Sequence, residues 1–280
     1  MNLNVIHTGN FKLDGGAMFG VVPKVIWQKL NPADDNNLCN WAMRCLLIED
    51  QNRLFLIDTG IGDKQSEKFY SYYYLNGSQS LKSSLHAAGY DFKDVTDVIL
   101  THLHFDHCGG AVKLNTTTQG FETTFPNATY WSHADHWNHA LNPNPREKPS
   151  FLTENILPIQ QSGQLKFIGD DLRITDTISG IIANGHTEKM ICPKVTIGDK
   201  TVVFMADMIP SVAHVPVNYV MGYDIRPLEV MKEKEAFLHE AADNNYILFF
   251  EHDNSTECAT VGRTEKGIRV IQTGNLTDFI

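Results

Sequence analysis

The stretch Val95-Thr96-Asp97-Val98-Ile99-Leu100-Thr101-His102-Leu103-His104-Phe105-Asp106-His107-Cys108-Gly109-Gly110 changes character at its midpoint. Val95 to Thr101 is apolar enough to read as a buried strand, and the histidines begin where that strand stops. Imidazole nitrogens and carboxylate oxygens are the usual ligands of zinc and neighbouring transition metals. His102, His104, Asp106 and His107 supply four such groups within six positions. Along an extended chain, alternate side chains share a side, so residues 102 and 104 point one way. A turn through Phe105 can then gather Asp106 and His107 around a second point, which leaves room for two metal ions. A polar loop of solvated histidines would give no reason for such density after an apolar strand.

Four ligands divided between two ions are too few, because a catalytic ion usually takes three or more protein ligands plus water. Three later residues share the context of the run. His186 in Asn184-Gly185-His186-Thr187, Asp207 in Phe204-Met205-Ala206-Asp207 and His252 in Phe249-Phe250-Glu251-His252 each follow an apolar, strand-like segment. Ends of neighbouring strands gather at one edge of a sheet, a rigid place to assemble a site.

Outward from the run, Met43 to Glu49 and Arg53 to Asp58 read as a hairpin joined by Asp50-Gln51-Asn52, with the second strand running into Asp58-Thr59-Gly60. Helical spacing runs through Lys64 to Leu75 and Ser80 to Ala88, the latter closed by Gly89. Further strands are expected at Thr129 to Ser132, Gln164 to Ile168, Leu172 to Thr175, Gly180 to Ala183, Lys194 to Ile197, Thr201 to Ala206, Tyr246 to Phe250 and Ile268 to Ile271. Helices are expected at Ala134 to Leu141 and Pro227 to Ala242. The proline-rich Leu141 to Pro149 reads as a surface loop. Many strands with interspersed helices imply a layered α/β architecture.

At 280 residues the chain is long enough for one large α/β domain, and 1–280 is taken as a single domain. Hydrophobic residues make up 42%, yet no apolar run approaches the roughly 18 residues of a membrane span. The N-terminus lacks the basic start and apolar stretch of a secretory signal, so a cytoplasmic location is expected. Five scattered cysteines without a CxxC pair suit reduced thiols, and none is assigned to metal. A formal charge of -10 with no basic run argues against a nucleic-acid partner.

Taken together, His102-Leu103-His104-Phe105-Asp106-His107, the upstream Leu56-Ile57-Asp58-Thr59-Gly60, Gly185-His186-Thr187, Asp207 and His252 resemble the metallo-β-lactamase-fold superfamily over most of the chain. The resemblance implies a four-layer αββα sandwich, an α/β fold with its metal site along one edge of two sheets. By the same resemblance, His102, His104 and His186 hold one ion, Asp106, His107 and His252 hold the other, and Asp207 bridges them. Asp58 orients ligands by hydrogen bonds. Two divalent cations are implied, zinc first, with iron, manganese and cobalt as the other candidates.

Within the superfamily, Asp14-Gly15-Gly16-Ala17-Met18-Phe19-Gly20-Val21-Val22-Pro23-Lys24 and the histidine run look most like the quorum-quenching lactonase and esterase branch. That resemblance implies opening of a lactone, an acyl-homoserine lactone among the candidates, or cleavage of a carboxylic ester. A hydroxide generated between the metals would be the nucleophile and Asp106 a proton carrier. Those lactonases often have a tyrosine three residues after the bridging aspartate, where this chain has Pro210. Tyr219 and Tyr223 are the candidate substitutes, and Glu188-Lys189-Met190 stands where many members have Pro-Gly-His.

Met18, Phe19, Phe105, His214, Tyr219 and Tyr223 are candidate substrate contacts, with core packing as the alternative for each. His133, His136 and His139 read as a solvated or partly buried helix face. Thioesters, phosphotriesters and sulfate esters are rival substrates for the same site, and a non-catalytic metal-binding or di-iron redox protein is the rival of another class. The expected partner is a small molecule, and a homodimer stays open.

Overall fold

A computed structural model describes residues 1–280. Its internal contacts divide the chain into two compact units, residues 1–9 with 43–172 and residues 10–42 with 173–280. The chain opens with β1 (Asn2–Asp14), followed by two short helices, α1 (Gly15–Phe19) and α2 (Lys24–Trp27). A hairpin of β2 (Leu38–Asp50) and β3 (Arg53–Ile57) leads to α3 (Glu67–Ser71), α4 (Leu81–Ala87) and β4 (Asp97–Ile99). The single turn α5 (Phe105–Cys108) precedes a small ladder of β5 (Val112–Leu114) and β6 (Phe121–Thr123). Next come β7 (Thr129–Ser132), α6 (Ala134–Leu141), α7 (Thr153–Gln161) and β8 (Leu165–Phe167). The remainder runs β9 (Ile178–Ala183), β10 (Met190–Ile197), β11 (Lys200–Phe204), α8 (Pro227–Asn244), β12 (Ile247–Phe249), β13 (Cys258–Thr264) and β14 (Gly267–Gly274).

The sheet of the first unit has the order β1-β2-β3-β4-β7-β8, and β1 and β2 also extend into the residues of the second. From β3 to β8 neighbouring strands are parallel, with Ile57, Ile99 and Trp131 in one row. That register sends Asp58, the residues beyond Ile99, and Ser132 off the same edge. Parallel strands need cover, which explains the continuous apolar runs Leu54 to Ile57 and Val98 to Leu100. Leu81 and Leu85 of α4, Trp137 and Ala140 of α6, and Ile156 and Ile159 of α7 share one core with Leu56, Val98 and Tyr130. At the other end of the row, buried Asp97 ties strands together by accepting from Arg53 Nε at 2.9 Å and Trp131 Nε1 at 2.7 Å.

In the second unit the order is β14-β13-β12-β11-β10-β9, antiparallel except for the parallel pair β11 and β12. The strands β9, β11 and β12 therefore run in one direction. α8 starts with Pro227 in its first turn, where a missing N–H costs nothing, and ends at Asn245 in the left-handed conformation. It buries Val230, Phe237, Leu238 and Ala241. Between them sits Lys234, fully buried, donating to the carbonyls of His214 at 2.5 Å, Pro216 at 3.0 Å and Tyr219 at 2.7 Å. No helix of the chain is long and apolar enough to cross a membrane.

Several sequence expectations need correction. Leu172 to Thr175 makes no strand: Leu172 is left-handed at φ 54°, and only an isolated bridge joins Arg173 to Ser179. The expected helix from Lys64 shrinks to α3, capped by the Ser66 side chain. β1 went unread because Gly9, at φ 105°, breaks its alternation, and α7 because Pro158 lies inside it. The loop after α6 is no purely surface segment, since Glu147 is 4% exposed.

Burial brings the Lys234 ammonium down from 10.5 to about 7, with the Asp224 carboxylate opposing the shift. The unfolded chain thus binds one more proton than the folded one between those values, and folding gains as pH rises through that window. Replacing Lys234 by Met removes this dependence. Between pH 7 and 9, the stability difference between parent and Lys234→Met should move in the parent's favour by about 1 kcal/mol per pH unit, read from urea unfolding midpoints.

Candidate metal centre

In the first unit, the chain leaves β4 extended and enters α5 with His104 at the N-cap position, so Asp106 and His107 lie on the turn itself. His102 and His107 are fully buried, and His104 and Asp106 are nearly so. His102 Nε2 lies 3.1 Å from His104 Nδ1, while the rings of His102 and His107 have centroids 3.9 Å apart. Asp58 holds this arrangement from the end of β3, in a left-handed conformation at φ 56°. Its Oδ1 accepts the Thr101 N–H at 2.8 Å, and its Oδ2 accepts the Thr101 hydroxyl at 2.6 Å and faces His107 Nδ1 at 3.0 Å. Glycine is required after the run: a Cβ at Gly109 would come within 2.1 Å of the Ile61 carbonyl oxygen, and one at Gly110 within 2.3 Å of that of Thr59.

In the second unit, His186, Asp207 and His252 each stand three residues beyond the last residue of a strand, Ala183, Phe204 and Phe249 respectively. Those three strands run the same way, so their ends share an edge. The two oxygens of Asp207 each face one histidine, Oδ2 to His186 Nε2 and Oδ1 to His252 Nε2, both at 3.1 Å. His186 Nδ1 lies 2.9 Å from Asp224 Oδ1, and His252 Nδ1 lies 2.8 Å from the Ala42 carbonyl. Burial alone would drive protons off His186, but Asp207 and Asp224 outweigh it and raise its pKa to about 10. Two buried carboxylates around one ring call for a positive charge there.

These donors fit a bound cation. A metal-binding histidine commits one ring nitrogen to the metal and the other to an acceptor that fixes ring and tautomer. Asp58, Asp224 and the Ala42 carbonyl take the outer nitrogens of His107, His186 and His252, and His102 Nδ1 lies 3.1 Å from the Thr101 hydroxyl. The inner nitrogens of His102 and His104 lie against each other, and those of His186 and His252 face Asp207. Residues able to hold a metal are therefore His102, His104, Asp106 and His107 in the first unit and His186, Asp207 and His252 in the second. All five cysteines are buried, and none forms a disulfide.

The candidate substrate contacts are more dispersed. Met18, Phe19 and His214 are buried, with Phe19 stacked on His214 at 4.5 Å and on Trp27 at 5.4 Å. Burial pushes the His214 pKa down to about 3, and the neutral ring bonds to Ser211 Oγ and the Met18 carbonyl. Tyr219 is part-buried, its carbonyl held by Lys234, and Tyr223 is 42% exposed. Phe105 packs against Tyr73 at 4.7 Å and Phe69 at 5.4 Å, forming an aromatic shelf within the histidine run. Pro210, where a tyrosine is common in lactonases, accepts the His252 N–H on its carbonyl at 3.1 Å. Lys189 of the departing tripeptide is left-handed, and Glu188 pairs with Arg226 at 2.6 Å.

Sequence reading missed Asp224, while the helix histidines form a partly buried face, as expected, with His136 wholly inside. His136 is fully buried, and its Nε2 accepts the Leu103 N–H at 2.9 Å. His139 Nε2 lies 2.8 Å from Glu147 Oε2, and His133 caps α6. The three-residue spacing put these rings on one helical face, but nothing in it said which way the face turned.

Across residues 44–252 the chain matches the sequence profile of the Metallo-beta-lactamase superfamily. It belongs to that superfamily and has its hydrolase fold. Among solved structures it is similar to a probable metal-dependent hydrolase from Staphylococcus aureus, at 27% identity and a TM-score of 0.88, covering 97% of this chain and 95% of that one. A dizinc quorum-quenching lactonase in complex with a product, N-hexanoyl-L-homoserine, is 20% identical with a TM-score of 0.79, covering 98% and 95%. An N-acyl homoserine lactone hydrolase with product bound at its catalytic metal centre is 19% identical with a TM-score of 0.68, covering 90% and 93%.

Asp58 serves two donors of Thr101 and the His107 ring from a fully buried position. Asp58→Ala should therefore cost about 3 kcal/mol, because the donors left behind are cut off from water. Asp58→Asn should cost less, since asparagine keeps an acceptor and tolerates the left-handed backbone. Urea unfolding in the presence of a chelator measures both without any contribution from metal.

Proposed function

We propose that this chain is a metal-dependent hydrolase that opens lactones or cleaves carboxylic esters, with residues 1–280 acting as one cytoplasmic domain on a small molecule. In this reading His102, His104 and His186 hold one divalent cation, Asp106, His107 and His252 hold a second, and Asp207 serves both. Zinc is the first candidate for each. The observation that carries the reading is the commitment of outer ring nitrogens to Asp58, Asp224 and the Ala42 carbonyl, which turns the inner ones toward the carboxylates of Asp106 and Asp207. The superfamily match, spanning residues 44–252, includes all seven ligands.

Two cations held there would supply a nucleophilic water at neutral pH and polarise a carbonyl. The protein's own part is to orient and to move protons. Asp58 fixes the plane and tautomer of His107, as Asp224 does for His186. Asp106 sits on α5 with its Oδ2 3.8 Å from His107 Nε2, and in this reading it carries a proton to the departing oxygen. An apolar substrate is favoured by the shelf of Phe69, Tyr73 and Phe105. Burial, with the Asp106 carboxylate adding to it, raises the Tyr73 pKa to about 12, so the shelf stays uncharged at neutral pH. A shelf of that kind suits an acyl ester or lactone better than a sulfate or phosphate anion.

Purified protein should contain about two equivalents of metal and turn over lactones or linear esters faster than matched thioesters and phosphotriesters. His104→Ala and Asp207→Ala should each lower kcat/KM at least about 100-fold and reduce metal content. Normal metal content and turnover in both variants would sink the ligand assignment. A parent with two metals bound and no activity on lactones or esters would sink the substrate class.

A further inference from the structure

The loop between α6 and α7 carries a carboxylate that its sequence gives no reason to bury. Glu147 is 4% exposed, and a buried carboxylate is costly unless donors surround it. Its Oε2 meets His139 Nε2 at 2.8 Å and also accepts from the Asn144 side chain. Asn144 Oδ1 in turn accepts the N–H groups of Arg146 and Glu147, folding the loop around the glutamate. The Ser150 N–H donates to the Glu147 carbonyl at 2.8 Å, and the Phe105 N–H donates to the Ser150 carbonyl at 3.0 Å. By this chain of bonds the loop is fastened to the residue next to His104.

The other carboxylate oxygen, Oε1, faces His104 Nε2 at 3.8 Å. That is the outer nitrogen, because His104 Nδ1 is the one converging with His102 Nε2. A histidine that binds through Nδ1 must carry its proton on Nε2, and a carboxylate beside that proton favours the required tautomer and makes the ring a better donor to metal. The Phe151 ring covers the arrangement, with centroids 4.8 Å from His104, 5.8 Å from His139 and 5.9 Å from His136. α6 thus reaches the run twice: His136 holds the Leu103 backbone, and His139 steadies the carboxylate.

From this geometry we infer that Glu147 is the positioning residue of His104, acting by its charge across 3.8 Å where Asp58 meets His107 directly at 3.0 Å. The inference rests on His104 being a metal ligand.

Zinc titration against a competing chelator tests it in the full chain, using Glu147→Gln, which keeps shape and hydrogen-bond acceptor but removes charge, and Glu147→Asp. Glu147→Gln should bind one zinc equivalent about 10 to 100-fold more weakly than the parent, and Glu147→Asp should recover part of the loss. Nitrogen-15 spectra of the zinc-loaded protein give a second readout: a slowly exchanging His104 Nε2 proton should be present in the parent and lost in Glu147→Gln. Unfolding midpoints in chelator show whether the variant is folded. A folded Glu147→Gln that binds both zinc equivalents within twofold of the parent and keeps the His104 proton overturns the role of Glu147 and leaves the metal centre standing. Failure of the parent to bind zinc overturns both.

Discussion

An imidazole presents a lone pair in a fixed direction only when its other nitrogen is held, and this requirement organises much of both units. The partners that hold the outer nitrogens come from different levels of structure. Asp58 is a strand-end side chain in a strained backbone conformation, Asp224 belongs to the segment before α8, and the third partner is the backbone carbonyl of Ala42 within β2. Each depends on strand register or helix placement being right. A slip of one residue in β3 against β4 would move Asp58 away from Thr101 and turn its side chain to the other face. Correct folding of the sheet and correct presentation of nitrogen are therefore one requirement.

The two units meet that requirement with helices behind the histidines. In the first, α6 grips the histidine run through His136 and steadies Glu147 through His139. In the second, α8 takes the N–H groups of Asn184 and Gly185 on the Glu233 carboxylate at 2.6 and 3.0 Å, fixing the approach to His186. Gly185 lies so close to α8 that a Cβ would come within 2.4 Å of the Val230 backbone. Polar residues on these helices are turned inward, against the usual preference for water, because they bind loops rather than fill a core.

The metal-type donors were legible because ligand chemistry restricts residue type and strand ends restrict position. The run after Leu100 and the residues beyond Ala183, Phe204 and Phe249 carried both signals. Strands with unbroken apolar character, such as Tyr246 to Phe250, were equally readable. What failed to show was whatever depended on tertiary placement. Gly9 concealed β1, Pro158 concealed α7, and the spacing of the α6 histidines left a solvated and a partly buried face equally open. Asp224 and Glu147 sit among polar and proline-rich residues that look like loop. The Ala42 carbonyl and the Pro210 carbonyl have no side-chain signature at all, since any residue would carry them.

Lys234 grips the 214–219 segment only through main-chain carbonyls, those of His214, Pro216 and Tyr219. Every amino acid brings the same carbonyl. Beyond the buried His214 and Val215, the path of this segment is thus held whatever side chains it carries, and those of Val217, Asn218 and Tyr219 can change without loosening the grip. A fold built in this way can diversify what one loop displays while its backbone course is inherited unchanged.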